Sequence, residues 1–376
     1  MPNDLAALSE RLVFSQSIRL RDFFWLSLRN GLFNLVTLTL YRFWGKTEVR
    51  RRVWNRVHLN GEPFEYTGRG VELFLGFLFA LGAVGLPFLL AVFGAQLLGP
   101  IVGGLIILPI YLLFFILVGF GRFTAFRYMA SRTSWRGVRL RLTGAPWSYA
   151  FTWLGFALLS GVTLGWFWPE AQRRLAAPLW DGLRFGDRRF RFSLDGACKE
   201  KVYGAYGIGW IVAAGGYVIM TLLLAAVLVT QARANGGAPR EPDAAVIGLF
   251  YLLAAVGAVV YAVAFSPYHA AALRSVAAGV SLDEDGPERG PASAAAVGFR
   301  LRLKWTDMAW MSLSNMALVV FSLGFFMPLA QARVSRLLVD RLEAEGQVDF
   351  SRIRQAADTG PRTGEGLADA FGLAPI

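Results

Sequence analysis

The residues whose chemistry could serve a function are polar side chains that lie inside otherwise apolar segments. Arg29, Asn30 and Asn34 fall in such a segment near the N-terminus, and Asn315 falls in another near the C-terminus. Charged and amide side chains in membrane helices are costly and often mark a path for ions or solutes. The alternatives are that Arg29 snorkels to the headgroup layer and that Asn30 and Asn315 hydrogen-bond between helices.

The sequence offers no set of residues for catalysis or metal binding. It has one cysteine, Cys198, and its two histidines, His58 and His269, are far apart in the chain. A metal site needs three or four converging donors. Neither a phosphate-binding loop, a zinc-protease motif nor a catalytic serine with a nearby histidine is found. We therefore expect no enzyme activity, no cofactor and no metal.

A second group of candidate residues is basic and lies just outside the apolar segments. The formal net charge is +12, but residues 71–120 contain one charged side chain, Glu72. This segregation favours cytoplasmic loops beside a membrane, and contact with anionic lipid, over nucleic-acid binding. The candidate headgroup contacts are Arg50, Arg51, Arg52, Arg139, Arg141, Arg173, Arg174, Arg300 and Arg302.

Apolar segments of membrane-spanning length account for the composition, which is 55% apolar and 17% charged. A helix needs roughly 20 apolar residues to cross about 30 Å of hydrocarbon. Residues 73–97, 101–120, 203–229 and 245–265 meet this requirement. They predict two pairs of membrane-spanning helices.

Three further apolar segments, residues 23–44, 151–168 and 308–327, align with each other without gaps. We call them the interrupted segments. Residues of N-cap type lie three positions before the first aromatic position of the alignment: Asp22, Ser148 and Asp307. Hydroxyl residues occupy a matching later position: Thr37, Thr163 and Ser322. The alignment predicts a helix that breaks at each hydroxyl residue, which would satisfy freed backbone carbonyls.

Short alternating apolar and basic runs beside the interrupted segments predict β-strands. The resulting unit occurs in full at residues 11–120 and 135–267 and in part at 298–350, followed by a flexible tail at 351–376. The predicted fold is an all-α polytopic membrane protein with internal repeats and small cytoplasmic strands flanking them.

The charge distribution also bears on how many times the chain crosses the membrane. If the interrupted segments crossed, seven spans would invert the second unit and export about half of the basic loops. If each segment instead re-enters and returns, the chain has four spans and both termini are cytoplasmic. We favour the second topology and retain the first as an alternative.

Several motifs resemble the YjgN-like family of bacterial inner-membrane proteins. They are Trp-Leu-Ser-Leu-Arg-Asn at 25–30, Thr37-Leu38, the aromatic and basic run 41–52, and residues 60–68. The C-terminal residues 364–371 also resemble that family. The resemblance implies a location in the bacterial inner membrane but no reaction. Thr39 and Phe43 depart from the Gly and Pro that it implies, which would loosen the first break.

Two functional classes fit these features. The first is a transport or channel-like role for a small solute, with the polar residues of the interrupted segments lining a path between the two units. The alternative is a non-catalytic membrane module that binds anionic lipid or a protein partner through its basic cytoplasmic face. A water-filled cavity at Arg29, Asn30 and Asn315 would favour transport, whereas dry packing would favour the module. The sequence gives no oligomeric state.

Overall fold

The structure is a computed structural model that describes residues 10–234, 236, 243–283, 295–348 and 353. The strands within these residues are β1 Glu10–Arg11, β2 Phe14–Gln16, β3 Val57–Leu59, β4 Glu62–Tyr66, β5 Thr133–Trp135, β6 Val138–Leu142, β7 Leu183–Phe185, β8 Arg188–Phe192, β9 Val280–Asp283, β10 Ala295–Leu301 and β11 Leu342–Val348. The helices are α1 Leu20–Val36, α2 Arg42–Trp54, α3 Gly70–Ala80, α4 Leu86–Leu97, α5 Pro100–Ser131, α6 Pro146–Val162, α7 Trp168–Asp181, α8 Leu194–Ala197, α9 Val202–Ala234, α10 Ala244–Ala264, α11 Ser266–Gly279, α12 Trp305–Phe321 and α13 Met327–Arg341.

The strands pair into one antiparallel sheet in the order β1-β11-β10-β9-β8-β7-β6-β5-β4-β3-β2. The two end strands, β1 and β2, are separated in the chain only by Leu12 and Val13. The Val13 amide donates to Asn60 Oδ1 over 2.8 Å, and the Asn60 amide donates to Val13 O over 2.9 Å. The segment 10–16 therefore joins the two ends of the sheet, which forms a nearly closed barrel.

The interior of this barrel is filled with apolar side chains. Alternate residues of the strands point inward, and five of them form a buried cluster with Leu12: Leu59, Trp135, Phe185, Leu282 and Val297. Phe14 and Phe190 pack their rings against Phe299 at centroid distances of 6.4 and 6.3 Å. The barrel is thus a packed core, and side chains occupy the space that a channel would need.

The prediction of an all-α fold is wrong. The strands that the sequence indicated do not remain small flanking elements, because each buries its apolar face in the same barrel core. The alternation of residue type shows that a strand of three to five residues exists. It cannot show that strands from opposite ends of the chain pair with each other.

All helices attach at one end of the barrel, which we call its helical end. The hairpin turns described at the other end are short, and Asn60-Gly61 and Arg136-Gly137 both have positive φ angles. Two consecutive residues of this kind form the tight turn whose twist matches paired antiparallel strands. The barrel therefore separates a face of turns from a face that carries every helix.

Four helical segments are long and apolar enough to cross a membrane: Gly70–Leu97, Ile101–Ser131, Val202–Ala234 and Ala244–Gly279. The chain is a membrane protein by this criterion. Gly70–Leu97 joins α3 and α4 through a π-helical turn at Leu81–Gly85, and Ala244–Gly279 joins α10 and α11. Two of the segments extend well beyond the apolar stretches seen in the sequence, because α5 continues to Ser131 through Arg122 and Arg127, and α10 continues into α11 with Arg274.

Each interrupted segment and the basic stretch after it form a helical hairpin. The first hairpin is α1 and α2, the second is α6 and α7, and the third is α12 and α13. Asp22, Ser148 and Asp307, which we expected to be N-caps, lie instead at the third residue of α1, α6 and α12. Each hairpin starts and ends at the barrel, as the direct pairing of Ser15 with His58 shows for the first.

The three hairpins turn with the same backbone geometry. Consecutive residues with positive φ occur at Leu38-Thr39, Leu164-Gly165 and Leu323-Gly324. The hydroxyls of Thr37, Thr163 and Ser322 accept from the backbone amide four residues later, over 3.0, 3.1 and 3.1 Å. Thr39, with φ +71°, adopts the conformation that glycine takes in the other two turns. The departures from the family pattern therefore leave the first turn intact.

The second hairpin is shallow compared with the spanning helices. In the second hairpin the carbonyls of Leu164 and Gly165 accept hydrogen bonds from Trp210 and Tyr206 of α9, both over 2.9 Å. Trp210 lies eight residues into α9, or about 12 Å along a helix about 50 Å long. The turn is therefore level with the first quarter of α9, and its irregular backbone is satisfied by protein groups.

Candidate interfacial binding site

Polar residues of the interrupted segments form hydrogen bonds and an ion pair within the hairpins. Asn30 is buried, and its Nδ2 donates to Gly45 O over 3.5 Å. Asn315 makes the equivalent bond to Ala330 O over 3.4 Å. Arg29 forms an ion pair with Glu48 of the same hairpin. These bonds hold the two helices of a hairpin together.

The structure does not bring the predicted polar residues together around one cavity. The Asn34 Oδ1 atom is buried and, among the described residues, has no hydrogen-bond partner. The hydroxyls of Thr37, Thr163 and Ser322 accept backbone hydrogen bonds within the hairpin turns. The first and third hairpins pack against each other, with Ser27 Oγ accepting from the Leu329 amide over 3.1 Å. The second hairpin lies elsewhere, between α5 and the α9–α11 helices.

The two pairs of spanning helices also remain separate. Helices α4 and α5 pack together, as do α9 and α10, but in the described part of the chain the two pairs have no extensive contact with each other. The four spans are almost entirely exposed on the surface of the structure. A surface of this composition is covered by lipid in a bilayer.

The predicted headgroup contacts separate into buried, paired and outward-facing arginines. Arg50 is buried and donates to the Tyr66 hydroxyl over 3.3 Å, so it is not a surface group. Arg51 donates to Gly68 O over 3.2 Å, and Arg52 pairs with Glu48 over 2.9 Å. Arg139 and Arg141 lie on the outward face of β6.

Two further predicted contacts form ion pairs within α7. Arg173 pairs with Glu170, and Arg174 pairs with the same carboxylate over 2.6 Å. Burial acts to raise the pKa of Glu170, but the hydrogen bonds from Arg174 and Arg173 outweigh it and hold the pKa below its ordinary value of 4.5. Arg173 also contacts the Cys198 Sγ over 2.8 Å.

Two carboxylate–arginine pairs close the barrel-side ends of the spanning pairs. Glu72 at the start of α3 accepts from Arg132, next to the end of α5, over 2.9 Å. Glu200, just before α9, accepts from Arg274 of α11 over 3.0 Å. The sequence marks Glu72 as the one charged residue of segment 71–120, but its partner is 60 positions away, and no local pattern pairs the two.

A large cleft lies where the outward face of the barrel meets the helical layer. We call it the interfacial cleft. It has a volume of about 1060 Å³ and lies between β10, the start of α12 and the end of α11. Its cationic lining residues are Lys199, Arg274, Arg300, Arg302, Lys304 and Arg341, and its lining carboxylates are Glu200 and Glu345.

Four of the cationic residues of the cleft form ion pairs with carboxylates, and two, Lys199 and Lys304, form none with the described residues. Arg300 pairs with Glu345 over 3.0 Å, and Arg302 pairs with Glu343 over 2.7 Å. Lys199 and Lys304 are exposed and make no ion pair with any described residue. Trp305 is 51% exposed beside Lys304. Of the residues predicted from sequence, Arg300 and Arg302 belong to this site, whereas Lys199, Arg274, Lys304 and Arg341 were missed.

A family model for bacterial proteins of unknown function, DUF898, matches residues 11–370. The chain belongs to the DUF898 family. This confirms the resemblance to YjgN-like proteins, which are the same family. No curated protein and no solved structure matches the chain. The DUF898 family has no assigned function, so a proposal for this protein has to be based on its structure.

Proposed function

We propose that this DUF898 protein is a non-catalytic membrane protein that binds anionic lipid headgroups in the interfacial cleft. The observation that carries the proposal is the excess of six cations over two carboxylates in the lining of one cleft. The cleft lies at the level where Trp305 and the ends of the helices meet the barrel. Lipid phosphates lie at this level in a bilayer, and each nearby Lys or Arg contributes about 1 kcal/mol to their binding.

Lys199 and Lys304 are the residues that give the cleft its capacity for a phosphate. The arginines are held by carboxylates or carbonyls; Arg274, for example, donates to Leu303 O over 2.7 Å as well as to Glu200. The two lysines can therefore approach a ligand without breaking an existing ion pair. Lysine binds phosphate as a mobile point charge, which suits a headgroup of varied geometry.

The geometry gives less support to transport. The polar residues proposed to line a path lie in separate hairpins, where Asn30, for example, bonds to Gly45 of the same hairpin. The barrel interior is filled by Trp135, Phe185 and their neighbours. The path expected between the two units would run between spanning pairs that have no extensive contact within the described residues.

We further propose a bacterial inner-membrane location with four crossings and a cytoplasmic barrel. Helix α9 leads away from the barrel and ends at Ala234, and the sequence there contains Arg233 and, before α10, Arg240, Glu241 and Asp243. These two positive and two negative charges cancel, whereas the described residues on the barrel side carry more Arg and Lys than Asp and Glu. The positive-inside rule then supports a cytoplasmic barrel and cytoplasmic termini. The matched turns of the three hairpins support an internal repeat.

Native mass spectrometry of the purified protein tests the lipid proposal. Titration with phosphatidylglycerol should give bound lipid at concentrations where phosphatidylcholine of equal chain length gives little. The double variant Lys199→Gln/Lys304→Gln should weaken phosphatidylglycerol binding about 10- to 30-fold, from about 1 kcal/mol for each charge.

A matched double variant at the other end of the barrel controls for net charge. Arg136→Gln/Arg189→Gln removes the same charge from exposed positions outside the cleft. It should leave phosphatidylglycerol binding close to the wild-type value. Equal losses for both double variants would show a general electrostatic effect, and the proposed site would be rejected.

A further inference from the structure

The third hairpin holds an arginine that has no carboxylate partner. Arg333 of α13 donates from Nη1 to Asn315 Oδ1 and from Nη2 to Ser314 Oγ, both over 2.8 Å. Its side chain is half-buried, and no described Asp or Glu forms an ion pair with it. Two neutral acceptors therefore fix the direction of the guanidinium without neutralising its charge.

At the equivalent pair of positions, the first hairpin has an arginine and a carboxylate. Arg29 and Glu48 are 19 residues apart, as Ser314 and Arg333 are, and they form an ion pair. In the first hairpin the positive charge is thus compensated within the protein. In the third hairpin the carboxylate position holds the arginine, and the arginine position holds a serine. A half-buried cation of this kind needs an anion from outside the hairpin.

A crevice beside Arg333 offers room for such an anion and for hydrocarbon. It has a volume of about 340 Å³, and its lining combines Arg333, Ser314 and Ser322 with apolar residues. The apolar residues are Ala317, Leu318, Phe321 and Phe326. Phe321 is 89% exposed at the edge of the crevice, on the outer surface of the hairpin. The crevice therefore opens toward the region that lipid would occupy.

We propose that this crevice, the Arg333 crevice, binds one anionic phospholipid. The lipid phosphate pairs with Arg333, and an acyl chain lies along Leu318, Phe321 and Phe326. Arg333 is eight residues from Arg341 of the interfacial cleft, or about 12 Å along α13, so the two sites are separate. The proposal holds whether or not the interfacial cleft binds lipid.

A photoreactive phosphatidylglycerol, with a diazirine in its acyl chain, tests this site. The detergent-purified protein is illuminated with equimolar lipid, and crosslinked peptides are mapped by mass spectrometry. We expect crosslinks to residues 317–326 in the wild type. Arg333→Gln should reduce them at least fivefold. Ser314→Glu should do the same with Arg333 still present, because the new carboxylate supplies an internal partner like that of Arg29.

Arg336→Gln is the matched control, because Arg336 lies on the same helix outside the crevice and pairs with Asp340. It should leave the crosslinks unchanged. Excess inorganic phosphate should not compete if the acyl chain contributes to binding, and complete competition by phosphate would refute a lipid site. A photoreactive fatty acid that crosslinks more strongly than the phospholipid would also refute the assignment. Equal crosslinking in wild type, Arg333→Gln and Ser314→Glu would show ordinary contact with lipid and would overturn the proposal.

Discussion

Arg132 donates to Glu72 over 2.9 Å and so joins the two ends of the first spanning pair at the barrel. Tyr128 donates to the same carboxylate. We predict that Glu72→Gln lowers the free energy of unfolding by about 1 kcal/mol, since the pair is partly exposed and screened. Thermal unfolding in detergent would measure this. Glu62→Gln, at an exposed barrel turn, should leave the midpoint unchanged. A similar loss in both variants would contradict the role of the Glu72–Arg132 pair.

The hydroxyl of Thr163 is predicted to stabilise the turn of the second hairpin. Thr163→Val removes the acceptor for the Phe167 amide and should cost about 1 kcal/mol, comparable to the loss of a helix cap. Thr152→Val is the control, because the Thr152 hydroxyl only donates to the Ser148 carbonyl in the same helix. Equal unfolding midpoints for the two valine variants would contradict the prediction.

Gly31 is predicted to be required where the first and third hairpins meet. A Cβ atom at this position would collide with the Phe325 ring. Gly31→Ala should therefore lower the free energy of unfolding by about 1–3 kcal/mol through overpacking. Gly155→Ala in α6, where nothing lies within 4 Å of the added carbon, should be neutral or slightly stabilising. If both variants unfold like the wild type, Gly31 and the Phe325 ring are not in close contact, and the prediction is contradicted.

Glu170 is predicted to give the second hairpin an acid-sensitive contribution to stability. Its pKa is below 4.5 in the folded protein, so its ion pairs contribute fully above pH 4.5. The contribution is lost as the pH falls through the lowered pKa. Glu170→Gln should be less stable than the wild type at pH 7, and the difference should shrink below pH 4.5. Unfolding curves at pH 7 and pH 3.5 would measure it, and a difference independent of pH would contradict the prediction.

Local features could be read from the sequence with good accuracy. The four apolar spans, the breaks at Thr37, Thr163 and Ser322, and the short strands each depend on residues close together in the chain. The closure of the barrel depends on Leu12 and Val13 joining strands that pair with opposite ends of the chain. No local pattern reports such a pairing, so the fold class was missed.

The candidate sites show the same division between local and distant information. Arg300 and Arg302 were recognisable because they alternate with apolar residues along β10 and just after its end. Lys199 and Arg274 join them in the cleft only because α9, α11 and β10 converge at the helical end of the barrel. Arg333 was recognisable as basic, but its missing carboxylate is visible only when the third hairpin is compared with Arg29–Glu48 in the first.

The side of the membrane on which each loop lies tests the central claim most directly. In a Cys198→Ser background, single cysteines would replace Asn55 after the first hairpin, Asp187 at a barrel turn, and Gly236 after α9. In intact spheroplasts an impermeant maleimide reaches only the outer face of the inner membrane, and it should label the Gly236 position. Cysteines at the Asn55 and Asp187 positions, and Cys198 in the wild-type protein, should be labelled only after the membrane is made permeable. Labelling of the Asn55 or Asp187 position in intact spheroplasts would place the barrel outside the cytoplasm and would contradict the account.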